Sequence, residues 1–342
     1  MKALAFKEHG GVDKLYYGDV PDPKIGPDDV LVRVRAAALN HLDIWVRQGL
    51  PHLKLPLPFW TGCDIAGDIV EVGSAVEGLN VGDRVAVNPT LNCGRCEFCL
   101  QGEDSLCVRF GILGEHVPGG LAELVKVKAR KVLALPQHVS YEDAASFILT
   151  NLTAWRMLLT QGQLRPGQDV LILGVGGGVS STAVQIAKLS GARVFVTSSS
   201  DAKLERARTL GADVCINYAK EDWAKAVYEG TDKRGVDLVV ENVGASTWKQ
   251  SIRCVKNGGR LVTCGATSGP IGETDIRTVF WKQIHIIGST MGNAREFHEV
   301  MRLLFQGRLR AIIDETFPLK DGASAQQRLA EGKQFGKIVL VP

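Results

Sequence analysis

Four of the eight cysteines fall within fifteen residues, as Cys93, Cys96, Cys99 and Cys107, while Cys63, Cys215, Cys254 and Cys264 are scattered. The spacing C-x2-C-x2-C-x7-C puts four thiolates in one loop, enough for a closed tetrahedral Zn(Cys)4 site. Four protein ligands leave no coordination position for water or substrate, so a zinc held there is structural. Its binding free energy, on the order of 10 kcal/mol in zinc-finger peptides, would order the loop. Two disulfides or four free thiols are the alternatives; a reducing compartment disfavours the first and the spacing the second.

The second element with chemical content is Gly174-Val175-Gly176-Gly177-Gly178-Val179-Ser180. It follows the strand-like run Asp169 to Leu173 and opens a helix whose Val179, Ala183, Ile186 and Ala187 recur at helical spacing before Gly191. Glycines let the backbone turn sharply and approach a pyrophosphate, whose charge then sits on the free N–H groups of the helix N-terminus. No G-x-G-x-x-G register is complete, because Val179, Ser180 or Ser181 occupies the last place. Ser180 is small enough to keep the helix close to the strand. The alternative is a flexible glycine loop without a ligand.

The elements that must carry these two sites divide the chain. Residues 1 to about 90 read as short strands broken by turns: Val30, Val32 and Val34 alternate with Leu31, Arg33 and Arg35, Ile65 to Val72 forms another run, and Gly82-Asp83 leads into Arg84 to Val87. Pro21, Pro23, Pro27, Pro51, Pro56 and Pro58 keep this half out of long helices. From Tyr141 a helical stretch runs to Thr160, and strands then alternate with helices at 169–173, 193–197, 214–216, 236–240, 259–264 and 284–288. Six such runs predict a doubly wound, parallel six-stranded sheet of Rossmann type, the α/β part of the chain. The tail holds one helix, Ala294 to Gln306, and ends in the strand-like Lys337-Ile338-Val339-Leu340; it returns to the β-rich part, since the parallel sheet is already complete. The expected division is 1–150, 151–287 and 288–342.

Composition bounds the rest. The 342 residues, 45% apolar and 23% charged, are those of a globular chain of about two domains. Forty basic against 37 acidic residues leave +3, and no basic block offers the phosphate-neutralising patch that nucleic acid requires. The longest apolar run, Val170 to Val179, is broken by glycines and far short of a membrane span. Only four consecutive apolar residues precede Lys7, Glu8 and His9, too few for a signal peptide. The expectation is a cytoplasmic protein acting on a small molecule, with no nucleic-acid or membrane partner.

The β-rich first part, the cysteine lobe, the glycine turn and the short C-terminal return together resemble the zinc-containing medium-chain dehydrogenase/reductase superfamily, over essentially the whole chain. Gly62-Cys63-Asp64-Ile65-Ala66-Gly67-Asp68-Ile69-Val70-Glu71-Val72-Gly73 is similar to its G-H-E-x-x-G-x-x-x-x-x-G signature, and Gly82-Asp83-Arg84-Val85 to its G-D-R-V. The resemblance implies that the β-rich part is a GroES-like catalytic domain and that the protein is a homodimer or homotetramer. Alcohol dehydrogenases of the family also hold a catalytic zinc by two cysteines and a histidine. Those places here hold Asn40, Cys63 and Leu149, of which only Cys63 binds zinc well. Leu42 replaces the hydroxyl residue of the proton relay, and Trp45 stands where some members have histidine. Asn40, Thr153-Ala154-Trp155 and the serine-rich turn at 197–200 look instead like the quinone oxidoreductase branch, which works without catalytic zinc.

That branch's chemistry is coherent with these residues. A simple ketone needs a Lewis acid to stabilise the developing alkoxide. An enone or quinone delocalises the incoming charge and needs chiefly positioning and one or two donors. Asn40 is the candidate donor to the substrate oxygen, with Cys63 and Asp64 implied beside it, although a small buried thiol and a loop-holding carboxylate describe those two equally. The resemblance places His41 at the cofactor pyrophosphate, where a surface histidine is the alternative. It places Thr153, Val243, Gly265 and Ile287 along the nicotinamide side, with Gly174, Gly176, Gly177, Gly178 and Val179 in the phosphate turn. Trp45 and Trp60 are candidate walls of an apolar substrate cleft, or simply core.

Members specific for NAD end the second strand of the parallel sheet in an acidic residue that binds the ribose 2′-hydroxyl. Ser198 stands there, followed by Ser199 and Ser200 as donors and by Lys203 and Arg206 as charges, with Asp201 nearby working against them. NADP(H) is therefore expected over NAD(H). The leading expectation is an NADPH-dependent reductase of activated alkenes or quinones with one structural zinc. The alternatives are an alcohol dehydrogenase with an altered zinc site built from Cys63, Asp64 and His41, which needs two zinc ions per chain, and a nucleotide-binding protein without turnover.

Overall fold

Val30, Val32 and Val34 sit at 0 to 2% exposure along the strand Asp29–Ala38, while Arg33 and Arg35 face water, so the alternation in the sequence is the two faces of a sheet. The computed structural model describes residues 1–51 and 53–342, which form two compact units, Met1–Leu149 with Asn293–Pro342 and Thr150–Gly292. Among the described residues the first unit is built on a seven-stranded sheet. Asp29–Ala38 pairs antiparallel with Asp64–Val72 and Leu124–Lys128, and Asp64–Val72 pairs with Arg84–Val87, which pairs with Val132–Ala134. The C-terminal strand Lys337–Val341 closes the other side of Asp29–Ala38, antiparallel, and carries Ile313–Pro318 parallel at the edge. Val30, Val32, Ile65, Ile69, Val85, Leu121, Ile338 and Leu340 fill one core, which explains why strands about 300 residues apart in the sequence share it.

In the second unit the strands Val214–Asn217, Arg193–Ser198, Asp169–Ile172, Val236–Glu241, Val255–Thr263 and His285–Gly288 lie side by side in that order, all parallel. The chain starts at Asp169–Ile172, works outward to one edge, then returns to the other side of the first strand. Such a reversal opens a crevice at the carboxyl ends of the two central strands. Asp169–Ile172 and Val236–Glu241 are buried throughout, and their centres, Val170-Leu171-Ile172 and Leu238-Val239-Val240, read accordingly as apolar runs, with Asp169, Asp237 and Glu241 towards their ends.

Three local expectations change. The fifth strand begins at Val255 instead of 259, with an irregular register against Val236–Glu241, and Val255 is buried in the core beside Ile252 and Leu261. The helical stretch from Tyr141 is an α-helix only to Trp155 and widens to a π-helix over Arg156–Gln161. The second unit continues to Gly292, past the 287 read from the sequence. Among the described residues no helix is long and apolar enough to cross a membrane.

Candidate functional site

The cysteine lobe is assembled by short-range geometry. Gly94 sits at φ 72°, a left-handed turn that lets the chain double back between Cys93 and Cys96, and Cys99 lies on the short helix Glu97–Leu100. The four sulfurs of Cys93, Cys96, Cys99 and Cys107 lie within 4.8 Å of one another, with Cys96 and Cys99 at 3.5 Å. A tetrahedron of Zn–S bonds of 2.3 Å has edges of about 3.8 Å, so the donor set fits zinc. The N–H groups of Cys93 and Arg109 both donate to Cys107 Sγ at 3.3 Å. Backbone donors favour thiolate elsewhere too: the Arg95 N–H lowers Cys93, and the N–H groups of Cys99 and Val108 bring Cys96 to about 6. The lobe is anchored by Asp104, whose carboxylate accepts from the Ala294 N–H (3.0 Å) and faces the buried Lys131 ammonium at 3.5 Å.

Around Asn40 three strand ends converge. Ala38 pairs with Asp64 on one side and Val339 on the other, so residues just beyond these positions must meet. Asn40 Nδ2 donates to Asp64 Oδ2 at 2.9 Å and to Cys63 Sγ at 3.3 Å. Lys337 Nζ donates to Asn40 Oδ1 at 2.6 Å and to Asp64 Oδ2 at 2.9 Å. The other oxygen, Asp64 Oδ1, accepts from the Leu149 N–H at 2.7 Å. Asp43 ties the helix His41–Gln48 to the same turn, accepting from the N–H groups of Asn40 (2.7 Å) and Gly62 (2.9 Å). Gly62 is required there: its φ is 102°, and a Cβ would lie 2.6 Å from the Leu121 nitrogen. Burial and the adjacent Asp64 push the Cys63 thiol well above its ordinary value, so it is a neutral thiol.

The structure thus brings together Asn40, Cys63 and Asp64 and adds two residues that sequence reasoning missed, Lys337 and Asp43. A signal for Lys337 was present: a lysine at the head of the apolar run Ile338-Val339-Leu340 has to find a buried partner. His41 is half-buried on the next helical position with its ring 6.2 Å from that of Trp45, and burial together with the Lys337 charge lowers its pKa. Trp60 does not share a wall with Trp45. It packs among Ala3, Ala5, Val20 and Ala122 and lines a separate cavity of about 640 Å³ with Met1, Leu113 and Val117. Phe59, its neighbour, packs instead on Phe6 and Val46, as expected where consecutive residues of an extended chain point to opposite sides.

In the second unit the strand Asp169–Ile172 gives way to Gly174 at φ 60°, and the helix Gly178–Leu189 begins after Gly177. The turn is pinned by Val175 N–H to Thr197 O (2.9 Å) and Gly174 N–H to Thr197 Oγ1 (3.2 Å). A Cβ on Gly176 would meet Lys203 Cδ at 2.8 Å and Nζ at 2.9 Å, so the Lys203 side chain lies over the glycines. Ser180 does more than stay small: its hydroxyl donates to Leu173 O (2.6 Å) and accepts from Asn242 Nδ2 (2.8 Å), joining the turn to the loop beyond Glu241. Glu241, fully buried, holds that loop by accepting from the N–H groups of Val243 (2.7 Å) and Gly244 (3.0 Å). Val179 is half-buried on the first turn of the helix.

Ser198 is the last residue of Arg193–Ser198, is buried, and accepts from the Ser200 N–H at 3.2 Å. Asp201 is occupied by Asn217 (2.7 Å) and Lys220 (2.6 Å). Val243 and Gly265 follow the carboxyl ends of adjacent strands, while Ile287 lies within the last one, paired with Val262. Thr153 is buried, with its hydroxyl 3.9 Å from Met291 Sδ.

Residues 26–137 match the alcohol dehydrogenase GroES-like domain family, and residues 178–306 match the zinc-binding dehydrogenase family. An alcohol dehydrogenase of Geobacillus stearothermophilus is 34% identical over 95% of this chain and 96% of its own. A protein named NAD-dependent alcohol dehydrogenase from Sulfolobus acidocaldarius is 32% identical over 99% of both chains. Among solved structures, an NAD-dependent alcohol dehydrogenase matches with TM-score 0.96 at 44% identity over 100% of both chains. A crotonyl-CoA carboxylase/reductase matches with TM-score 0.93 at 29% identity, covering 100% of this chain and 88% of its own. Sequence, fold and lobe agree: the chain belongs to the zinc-containing medium-chain dehydrogenase/reductase superfamily and is an oxidoreductase of the alcohol dehydrogenase type.

Proposed function

We propose that the protein is an NADPH-dependent reductase of activated alkenes, quinones or related carbonyl compounds, with one structural zinc and no zinc at the substrate site. The observation that carries this is the donor set around Cys63. Leu149 offers the site only a backbone N–H, which Asp64 already accepts, and both oxygens of Asp64 are engaged by Lys337, Asn40 and that N–H. Of Asn40, Cys63 and Leu149, Cys63 alone offers a good zinc donor, and a single thiol does not make a zinc site. A catalytic zinc of the alcohol dehydrogenase kind therefore does not fit these residues.

A nicotinamide dinucleotide, when held by the second unit, would supply the hydride for an electron-poor carbon of the acceptor, with a proton from water completing the addition. Gly174, Gly176, Gly177, Gly178 and Val179 leave the backbone open to a pyrophosphate, with Lys203 lying over the glycines as its cation. Ser198 with Lys203 and Arg206 favours a 2′-phosphate, and Asp201, which would work against it, is already paired with Lys220. By the family resemblance, Thr153, Val243, Gly265 and Ile287 would hold the nicotinamide and His41 the pyrophosphate. The substrate oxygen is met by Asn40, with Cys63 and Asp64 beneath it. The crotonyl group in the name of one structural neighbour is an activated alkene, which supports the substrate class.

The reading extends to a cytoplasmic homodimer or homotetramer. Ile276, Phe280 and Trp281 are exposed on the helix leading to the edge strand His285–Gly288, which supports self-association.

The names of most relatives favour a second reading, alcohol oxidation with a further metal on Cys63. Stopped-flow NADPH oxidation with simple quinones and enones, run beside zinc analysis, separates the two. Turnover of those acceptors with one zinc per chain supports the proposal. Oxidation of simple alcohols with two zinc ions per chain contradicts it, and cofactor binding without turnover of either class would mark a nucleotide-binding protein.

A further inference from the structure

Lys337 takes no part in the chemistry assigned above, yet it is the most deeply buried ammonium beside the candidate site, 4% exposed and 273 residues from its partner Asp64. A buried lysine is retained at a cost unless it is fully paired. Here it is paired twice, to the Asp64 carboxylate at 2.9 Å and to Asn40 Oδ1 at 2.6 Å. An ammonium can only donate, so this contact fixes which end of the Asn40 amide is oxygen and which is NH2. One amide hydrogen is then committed to Asp64 Oδ2 at 2.9 Å. The other is shared between Cys63 Sγ at 3.3 Å and Ala38 O at 3.4 Å, both long and weak. All three polar side chains are buried, Asn40 the least so, 8% exposed against 4% for Lys337 and 0% for Asp64.

We propose that Lys337 is a positioning and polarising residue: it fixes the orientation of the Asn40 amide and, by drawing charge from Oδ1, strengthens the weakly held N–H as a donor that can exchange its long contacts to Cys63 Sγ and Ala38 O for the substrate oxygen. A donor whose acceptor carries a hydrogen bond from a cation is polarised through the amide, and fixed donors aimed at developing charge act without reorganisation. Lys337 and Asn40 thus form a relay from a buried cation to the reacting oxygen, which deepens the reading of Asn40 in the proposed function and rests on it. Such a relay matters most for acceptors that delocalise charge poorly.

The test uses the holoenzyme with a series of para-substituted aryl enones and a parallel series of benzaldehydes. The class the wild type turns over decides the functional reading; the variants decide the relay within that class. Asn40→Ala leaves the ion pair intact, and Lys337→Met/Asp64→Asn removes both charges together. In each, kcat is expected to fall about 100-fold for the least activated acceptor, the loss typical of one oxyanion donor. It should fall less than about threefold for the most activated one, with the Kd for NADPH unchanged, so that the substituent slope steepens. A uniform loss across the series, or none, overturns the proposal. A second readout is independent of turnover: the Asn40 side-chain NH2 resonance should stand apart from free amides in the wild type and return to their position in the double variant. A free-amide position already in the wild type also overturns it.

Discussion

The cysteine lobe and the Asn40 cluster are both built on strand ends of the same unit, and they reach their geometry by opposite routes. Cys93 to Cys107 gather through two left-handed glycines, Gly94 and Gly102, and short helical turns within fifteen residues. Asn40, Cys63, Asp64 and Lys337 meet only because the strands Asp29–Ala38, Asp64–Val72 and Lys337–Val341 pair in one register. The first is a local motif that a metal completes; the second is a product of the finished sheet and supplies its own cation. The lobe therefore should fail by losing stability, and the cluster by losing both stability and chemistry.

The largest effect is expected at the lobe. Removing zinc, or Cys99→Ser, should lower the melting temperature by more than about 10 °C, given site energies on the order of 10 kcal/mol and roughly 2–4 °C per kcal/mol for a unit of this size. Turnover per folded molecule should change far less. Calorimetry beside active-site titration checks this, and a specific loss of chemistry at an unchanged melting point would erase the distinction between the two regions.

Next comes the buried ion pair. Lys337→Met alone leaves the Asp64 carboxylate uncompensated and should cost about 3–5 kcal/mol in denaturant unfolding. Adding Asp64→Asn should recover most of it. A double variant no more stable than the single one would mean that Lys337 is held by packing and not by charge.

Cofactor choice sharpens the comparison from the second unit. Ser198→Asp places a carboxylate beside the expected 2′-phosphate and should shift the ratio of kcat/KM toward NADH by about 1–3 kcal/mol, on the order of tenfold to a hundredfold. Absence of a shift would move the discriminating residue elsewhere.

The smallest effect concerns His41. Burial and the neighbouring Lys337 charge depress its folded pKa below the ordinary 6.5. The native state therefore binds fewer protons than the unfolded chain in that window, so this contribution is complete above about pH 6.5 and is lost as pH falls toward the folded pKa. The fall in unfolding midpoint from pH 7 to 5.5 should be smaller in His41→Gln; an identical fall would place the titration on another group.

What could be read from the residues follows the same division. The parallel sheet was legible because strands buried on both faces have apolar centres without polar alternation, as Val170-Leu171-Ile172 and Leu238-Val239-Val240 show. The glycine turn and the cysteine lobe were legible because their spacing is local. Lys337 was legible only as a lysine heading an apolar run; its partner lies 273 residues away, and nothing near it in sequence announces which residue that is. Ser180 was read for its size alone, whereas its hydroxyl also bonds Leu173 O close by in the chain and Asn242 Nδ2 on a loop some 60 residues away. Trp60 was misplaced because the side to which an extended residue points is fixed by strand pairing, and Phe59 takes the side facing Val46.

The central claim is that the substrate site works through Asn40, Cys63, Asp64 and Lys337 without a metal of its own. Zinc stoichiometry by mass spectrometry on fully active wild type and on Cys63→Ser tests it most directly. One zinc per chain in both, held by Cys93, Cys96, Cys99 and Cys107, is the predicted result; two in the wild type falling to one in Cys63→Ser would contradict it.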